Sequence, residues 1–311
     1  MLKYYVRHTP EETLQSLPGY REQDGLWVHG EQPQVAELIT LHKQYGLDSN
    51  ILRDVLDRDE LPRLEVNDGN LYVFLRSIQR TKHGQIESAP VLTVLTPRVF
   101  VSLSHTAALN QHKIVEAAHA IPTTERGGMF LATMTAIITD YEESIVRTAR
   151  YIKDIGHRLR THEVDNSDFI HFVTVEDNLG IYALNLANTM TVAERLKDAK
   201  VAHLSESDIE SIDDIILHIR QLLTSVQSHA KTVESIRNAY TTIANNKLNE
   251  RIKRLTVLTV LITLPNVFFG MYGMNIVLPL QDEPWAYTGI VGFTIVIILF
   301  VYMLAKRYRL F

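Results

Sequence analysis

Two runs of the 311-residue chain carry no charge at all, 18 residues from Leu255 to Tyr272 and 21 from Trp285 to Ala305. Each is close to the ~20 residues that carry a helix across a bilayer. A single run of this kind could be the core helix of a soluble domain. Two of them, only 12 residues apart, are expected to be a pair of membrane spans. Upstream, no glycine occurs between Gly180 and Gly270 and no proline between Pro122 and Pro265, so nothing obliges the chain to break from about Ser205 to Leu264. A continuous helix there would be about 90 Å long. Ile209, Ile212, Ile216, Ile219, Leu223, Val226, Ala230 and Val233 recur at alternating steps of three and four, the seam of a helix packed on other helices.

The pattern is different towards the N-terminus. LKYYVRHT, GLWVHG, NLYVFLRSIQR, PVLTVL and RVFVSLSH read as strands, with helices near Val35–Tyr45 and Ala108–Ala118 between them. This predicts an α/β domain with a mostly buried sheet over residues 1–125. Residues 126–204 are expected to hold a pair of long helices, from about Met129 to Lys200, around a turn near Asp165–Ser167. A stalk helix at 205–254 then leads into the first span at 255–272, an external loop at 273–284, the second span at 285–305 and a basic tail at 306–311.

Charge orients this plan. Lys247, Arg251, Lys253 and Arg254 precede the first span and Lys306, Arg307 and Arg309 follow the second, whereas the loop between them holds only Asp282 and Glu283. The positive-inside rule puts both termini in the cytoplasm and the loop outside. Trp285, Tyr287, Tyr302 and Tyr308 suit the two interfacial belts. Of the net charge of −5, residues 247–311 contribute +4, so the preceding part is acidic and lacks the basic face that nucleic acid would require. The N-terminal MLKYYVRHTP has no apolar core of a secretory signal. Without cysteine, a disulfide framework or a thiolate metal site is excluded. No phosphate-cradling glycine loop, His-Glu-x-x-His motif or nucleophile elbow is present, so no enzymatic activity is expected.

The first span is not uniformly apolar. Asn249, Thr256, Thr259, Thr263, Asn266 and Gly270 follow one another at steps of seven, three, four, three and four and so share a helix face. Threonine hydroxyls could bond back to their own helix while small residues pack on the second span. Alternatively the stripe could line a path for hydrated ions. An amide such as Asn266 is costly against lipid and faces protein or water. Two helices cannot enclose such a path, so that second alternative requires several copies around an axis.

After the first span the chain reads Tyr272-Gly273-Met274-Asn275. The Gly-Met-Asn tripeptide, at the outer end of the first of two C-terminal spans, resembles the signature of the CorA family of magnesium channels. That resemblance implies a funnel-shaped homopentamer in the inner membrane. Its selectivity mouth would be formed by Gly273, Met274 and Asn275, and its first span would line the pore with Asn249, Leu255, Thr263, Asn266 and Gly270, to which the polar stripe adds Thr256 and Thr259. Leu255 resembles a hydrophobic gate. At Thr263 the family often has methionine, and its loop often continues Met-Pro-Glu-Leu, whereas here Asp282 and Glu283 lie farther along, where they would attract cations.

The resemblance also implies a regulatory site. Asp54 and Asp214 match positions at which the family faces carboxylates across subunits with Mg²⁺ between them, although Arg53 stands where some relatives carry another acid. His218, one turn beyond Asp214, could join such a site or simply hydrogen-bond at the surface. The expected cargo is Mg²⁺, with Co²⁺, Ni²⁺ or Zn²⁺ as in the ZntB-like branch the nearest alternative. A membrane-anchored binding or scaffolding protein is the alternative of another class. Neither span nor their loop contains histidine, which favours a hard cation over zinc.

Overall fold

The computed structural model describes residues 2–9, 11–19, 23–106, 121–161, 166–198, 204–274 and 282–308. The chain divides into two compact units, Met1–Ser235 and Ile236–Phe311.

The first unit is built on a seven-stranded sheet of β1 (Leu2–Val6), β2 (Gln15–Leu17), β3 (Leu26–Glu31), β4 (Arg63–Asn67), β5 (Asn70–Arg80), β6 (Ile86–Leu95) and β7 (Val99–Ser104). The order across it is β2-β1-β3-β7-β6-β5-β4. Neighbours run antiparallel except β3 and β7, which pair in parallel from Leu26 opposite Val99 to Glu31 opposite Ser104. Strands β4 and β5 join through Asp68-Gly69, both at positive φ (48° and 75°). That two-residue turn suits the right-handed twist of a hairpin.

One sheet face, with Leu26, Val28, Tyr72, Phe74, Leu92, Val94, Val101 and Leu103, packs on Leu38 and Leu41 of α1 (Val35–Tyr45) and on Ile51 and Leu52 of α2 (Ser49–Asp54). The other is covered by α3 (Arg126–Thr161) and α4 (Asn166–Asp198), which lie against the β4–β7 half. Burial on both faces is why the central strands read as unbroken apolar runs rather than alternating ones. Several polar groups within this layer are paired. The Tyr141 hydroxyl donates to the Arg76 carbonyl at 3.0 Å, and burial holds its phenol well above the usual range. Ser144 and the Tyr182 hydroxyl are 2.7 Å apart.

Helix α5 (Glu206–Tyr272) opens with a reciprocal cap: Asp208 accepts from the Ser205 N–H at 2.8 Å and donates its own N–H to the Ser205 hydroxyl at 3.2 Å. Its first part belongs to the first unit, where Asp213 meets Lys197 of α4 at 2.7 Å and Asp208 comes so close to Gly127 of α3 that a Cβ there would lie 2.4 Å from its carboxylate. The buried seam is Ile212, Ile215, Ile216, Ile219, Leu222, Val226 and Val233. It departs from the pattern read in the sequence at four places: Ile209 is only half-buried, Ile215 is buried in addition, Leu222 is buried where Leu223 was expected, and Ala230 is exposed. A 3.6-residue helix drifts against a strict heptad, so the residues on its inner face change along its length.

Strands β2 and β4 and helix α2 are additions to the expected elements. The expected helix at Ala108–Ala118 lies outside the described residues, as does Asp165 of the expected turn, whereas Asn166 and Ser167, also expected in that turn, open α4. In the second unit, α5 continues through Pro265 and packs on α6 (Ala286–Arg307), with Phe268 and Phe293 edge to face at 5.5 Å.

Candidate functional site

At about 100° per residue, Val257, Leu261, Leu264 and Phe268 form one face of α5. This face is the covered one, fully buried at Val257 and half-buried at the other three. Thr256, Thr259, Thr263, Asn266 and Gly270 lie about half a turn round the helix from it, and all are exposed. The stripe therefore does not pack against the second apolar helix, which rules out that half of the bland alternative. Exposed apolar side chains flank it on both sides, Val260 and Val267 on one and Leu258, Ile262 and Phe269 on the other.

The other half of that alternative holds. Thr256, Thr259 and Thr263 donate their hydroxyls to the carbonyls of Ile252, Leu255 and Thr259, at 2.9, 2.9 and 2.7 Å. With each proton committed to the helix, the oxygen lone pairs are what remains for an outside group. The face is a column of uncharged acceptors, suited to the water protons of a hydrated cation. Asn249 and Leu255 extend it towards the basic end of the segment, both exposed, Leu255 to 62%.

At the other end the Gly273 N–H donates to the carbonyls of Phe269 (3.0 Å) and Gly270 (3.3 Å), and that of Met274 to Met271 (3.3 Å), closing the helix. Asn275 lies outside the described residues. A Cβ at Gly270 would meet nothing within 4 Å, and one at Gly273 only its own helix carbonyls at 3.4 and 3.6 Å. Neither glycine is demanded by the fold of one chain. Asp282 and Glu283 are exposed just before α6, where the Glu283 carbonyl accepts from the Ala286 N–H at 3.0 Å.

The three residues of the expected regulatory site have different surroundings. Asp54, at the end of α2, is bound by the Arg63 guanidinium at 2.6 Å. Arg63 also reaches Glu60 (3.3 Å) and Glu65 (3.1 Å) and lies over the Phe74 ring. Burial pushes the Glu60 carboxyl up, with Arg63 opposing and Asp54 and Asp57 adding to the rise. Asp214 is exposed on α5. His218 meets Glu142 of α3 at 3.3 Å rather than forming the pair with Asp214 that its spacing allowed. Arg63 was missed because β4 was not recognised, although Asp68-Gly69 marks the hairpin that contains it. Among the described residues no group of three or more His, Asp or Glu is arranged to hold a metal.

Only 6% of the most apolar stretch of α5 and 11% of that of α6 is buried. Core helices would be covered by their own chain. An α/β domain, a long helix and two uncovered apolar helices define an integral membrane protein with a soluble head. Over residues 22–307 the chain matches the CorA-like Mg²⁺ transporter proteins and belongs to that family. It is 24% identical over 293 residues, 90% of either chain, to the cobalt/magnesium transport protein CorA of Methanocaldococcus jannaschii. Its fold matches the complete structure of the CorA magnesium transporter from that organism with a TM-score of 0.84, at 18% identity over 99% of this chain and 98% of the other. The cytoplasmic domain of ZntB from Vibrio parahaemolyticus matches with a TM-score of 0.65, at 10% identity over 78% of this chain and 98% of the other.

Proposed function

We propose that the chain is one subunit of a homopentameric channel that carries divalent cations, Mg²⁺ foremost, down their electrochemical gradient across the cell's inner membrane, with both termini in the cytoplasm. The observation that carries this reading is the acceptor stripe on α5, open on the face opposite α6. Around a symmetry axis, α5 would be innermost and α6 outermost, the apolar flanks would meet between neighbours, and the stripe would face water. Gly270 and Gly273 would then be the points where copies approach too closely for a side chain.

Mg²⁺ dehydrates reluctantly. Threonine oxygens that accept from its water shell hold the ion without stripping it, and uncharged groups let it leave again. Asn275, with Gly273 and Met274, would form the selective mouth, fed by Asp282 and Glu283, and Leu255 would close the path by dewetting. For a divalent ion the membrane potential supplies ~4.6 kcal/mol per 100 mV. Mg²⁺ between Asp54 of one subunit and Asp214 of the next, with His218 near, would hold the closed state. Because Arg63 already neutralises Asp54, the metal must compete with a guanidinium, which makes this a weaker sensor than two unpaired carboxylates would be.

Protein reconstituted in liposomes with an internal Mg²⁺ indicator should show Mg²⁺ entry that Asn275→Ala abolishes at equal insertion. Zn²⁺, Co²⁺ and Ni²⁺ run in parallel decide the cargo: Zn²⁺ entry without Mg²⁺ entry would move the chain to ZntB-like transport. Entry of no ion would overturn the channel and leave a membrane-anchored scaffold. Mg²⁺ should protect the wild type from proteolysis. Equal protection of the Asp54→Ala, Asp214→Ala double variant would remove the sensor.

A further inference from the structure

We propose that a cavity between the β5–β6 hairpin and helices α3 and α4 binds a small phosphate-bearing metabolite, of the size and chemistry of a nucleoside di- or triphosphate. The cavity lies within the first unit, holds about 330 Å³, and shares no residue with the ion path or with the Asp54 and Asp214 positions. That volume is within the range of small-molecule sites.

Its chemistry is one-sided. Arg80, Lys82 and His83 line it from the hairpin and His171 from α4, and no Asp or Glu is among the lining residues. Residues 1–235 carry a net −10, so a wall with cationic side chains and no acid runs against the charge of the unit that contains it. Arg80 and Lys82 make no ion pair among the described residues, whereas Arg58, Arg63, Arg126 and Arg147 are each matched to an acid. Guanidinium and ammonium groups left facing a cavity are what a polyphosphate recognises.

The backbone that presents them is held in place. The buried Asn178 of α4 donates to the Gly84 carbonyl at 2.9 Å and accepts from the Ile86 N–H at 2.8 Å. Within the turn the Thr81 N–H reaches the Gln85 carbonyl at 2.9 Å and the Gly84 N–H reaches that of Thr81 at 3.0 Å, with Gly84 at φ 82°. The Thr81 hydroxyl, also in the lining, is buried and has no hydrogen-bond partner among the described residues. A buried hydroxyl without a partner costs free energy that a ligand oxygen would recover. On the far wall Tyr151 and His171 stand edge to face, with ring centroids 5.8 Å apart, and put aromatic side chains beside the cations. Phosphates at the hairpin and a ring against Tyr151 would use both walls.

The test is calorimetric titration of the full-length protein in detergent with EDTA present, so that no metal bridges ligand and protein. Sodium pyrophosphate and ADP serve as separate probes. Both should bind saturably, and Arg80→Gln with Lys82→Gln should weaken binding roughly tenfold or more, the loss expected when charged hydrogen bonds to an anion are removed. Tighter binding of ADP than of pyrophosphate, lost in Tyr151→Ala, would assign the ring wall as well. Equal binding of the two would keep a phosphate site and remove the nucleoside from it. Lys153→Gln, an exposed cation outside the lining, should change nothing. Unaltered binding in the double variant, an equal loss in Lys153→Gln, or no saturation of the wild type by about 10 mM of either probe would overturn the site. Arg80 and Lys82 are exposed, so the variants should melt as the wild type does. No ion flux enters the readout, and failure here leaves the transport reading untouched.

Discussion

At the scale of single residues, partners decide more than residue types do. Asp54 was expected from the resemblance to face another carboxylate across subunits, and within one chain the structure makes it one of three carboxylates gathered by Arg63. His218 has the i, i+4 spacing for Asp214 and turns instead to Glu142, 76 residues away along the chain. Asn178 carried no signal in the sequence, yet it satisfies two backbone groups of a distant hairpin at once. Asn178→Ala would leave the Ile86 N–H and the Gly84 carbonyl without that partner in a buried place. The expected cost is about 1–3 kcal/mol of stability, measured by denaturant unfolding of the first unit's signal. A change below a few tenths of a kcal/mol would mean that the hairpin stands without α4. Local spacing cannot reveal such contacts because the partner is brought in by the sheet, not by the helix period.

Among elements, legibility followed burial. Strands β3, β5, β6 and β7 were recognised because both faces of the sheet are covered there and apolar residues dominate them. Strand β4 escaped because RLEVN is half polar, although the Asp68-Gly69 turn after it is a strong hairpin signal. The long helix was read from an absence of breakers, and it runs on through Pro265, which takes away the N–H that would have bonded to the carbonyl of residue 261. Within it, the threonine stripe is the element's functional prediction. Thr259→Val with Thr263→Val keeps the shape of the side chains and removes two oxygens from the exposed face. Helix content and insertion should be unchanged while Mg²⁺ entry into liposomes falls several-fold. Undiminished entry would mean that the stripe does not contact the ion.

For the whole molecule, the described residues leave a membrane segment with an exposed polar face, which the proposed pentamer would enclose. Because the chain has no cysteine, introduced ones report without background. Val260→Cys and Ile262→Cys together place thiols on opposite flanks of the stripe. Mild oxidation in membranes should yield a ladder of linked species that stops at five. A ladder ending at another number would correct the stoichiometry, and monomer alone would leave the stripe facing lipid.

Period and breakers along the chain were enough for the two apolar helices, the long helix and most of the buried strands, since each depends on neighbours within a few turns. The Gly-Met-Asn tripeptide added the family on top of that. Only the tertiary structure decided that the stripe lies opposite α6, that Asp54 is neutralised by Arg63, and that Arg80, Lys82 and His171 surround one cavity. Those facts depend on which faces meet, and two faces meet only once distant elements have packed, so no window of sequence contains them.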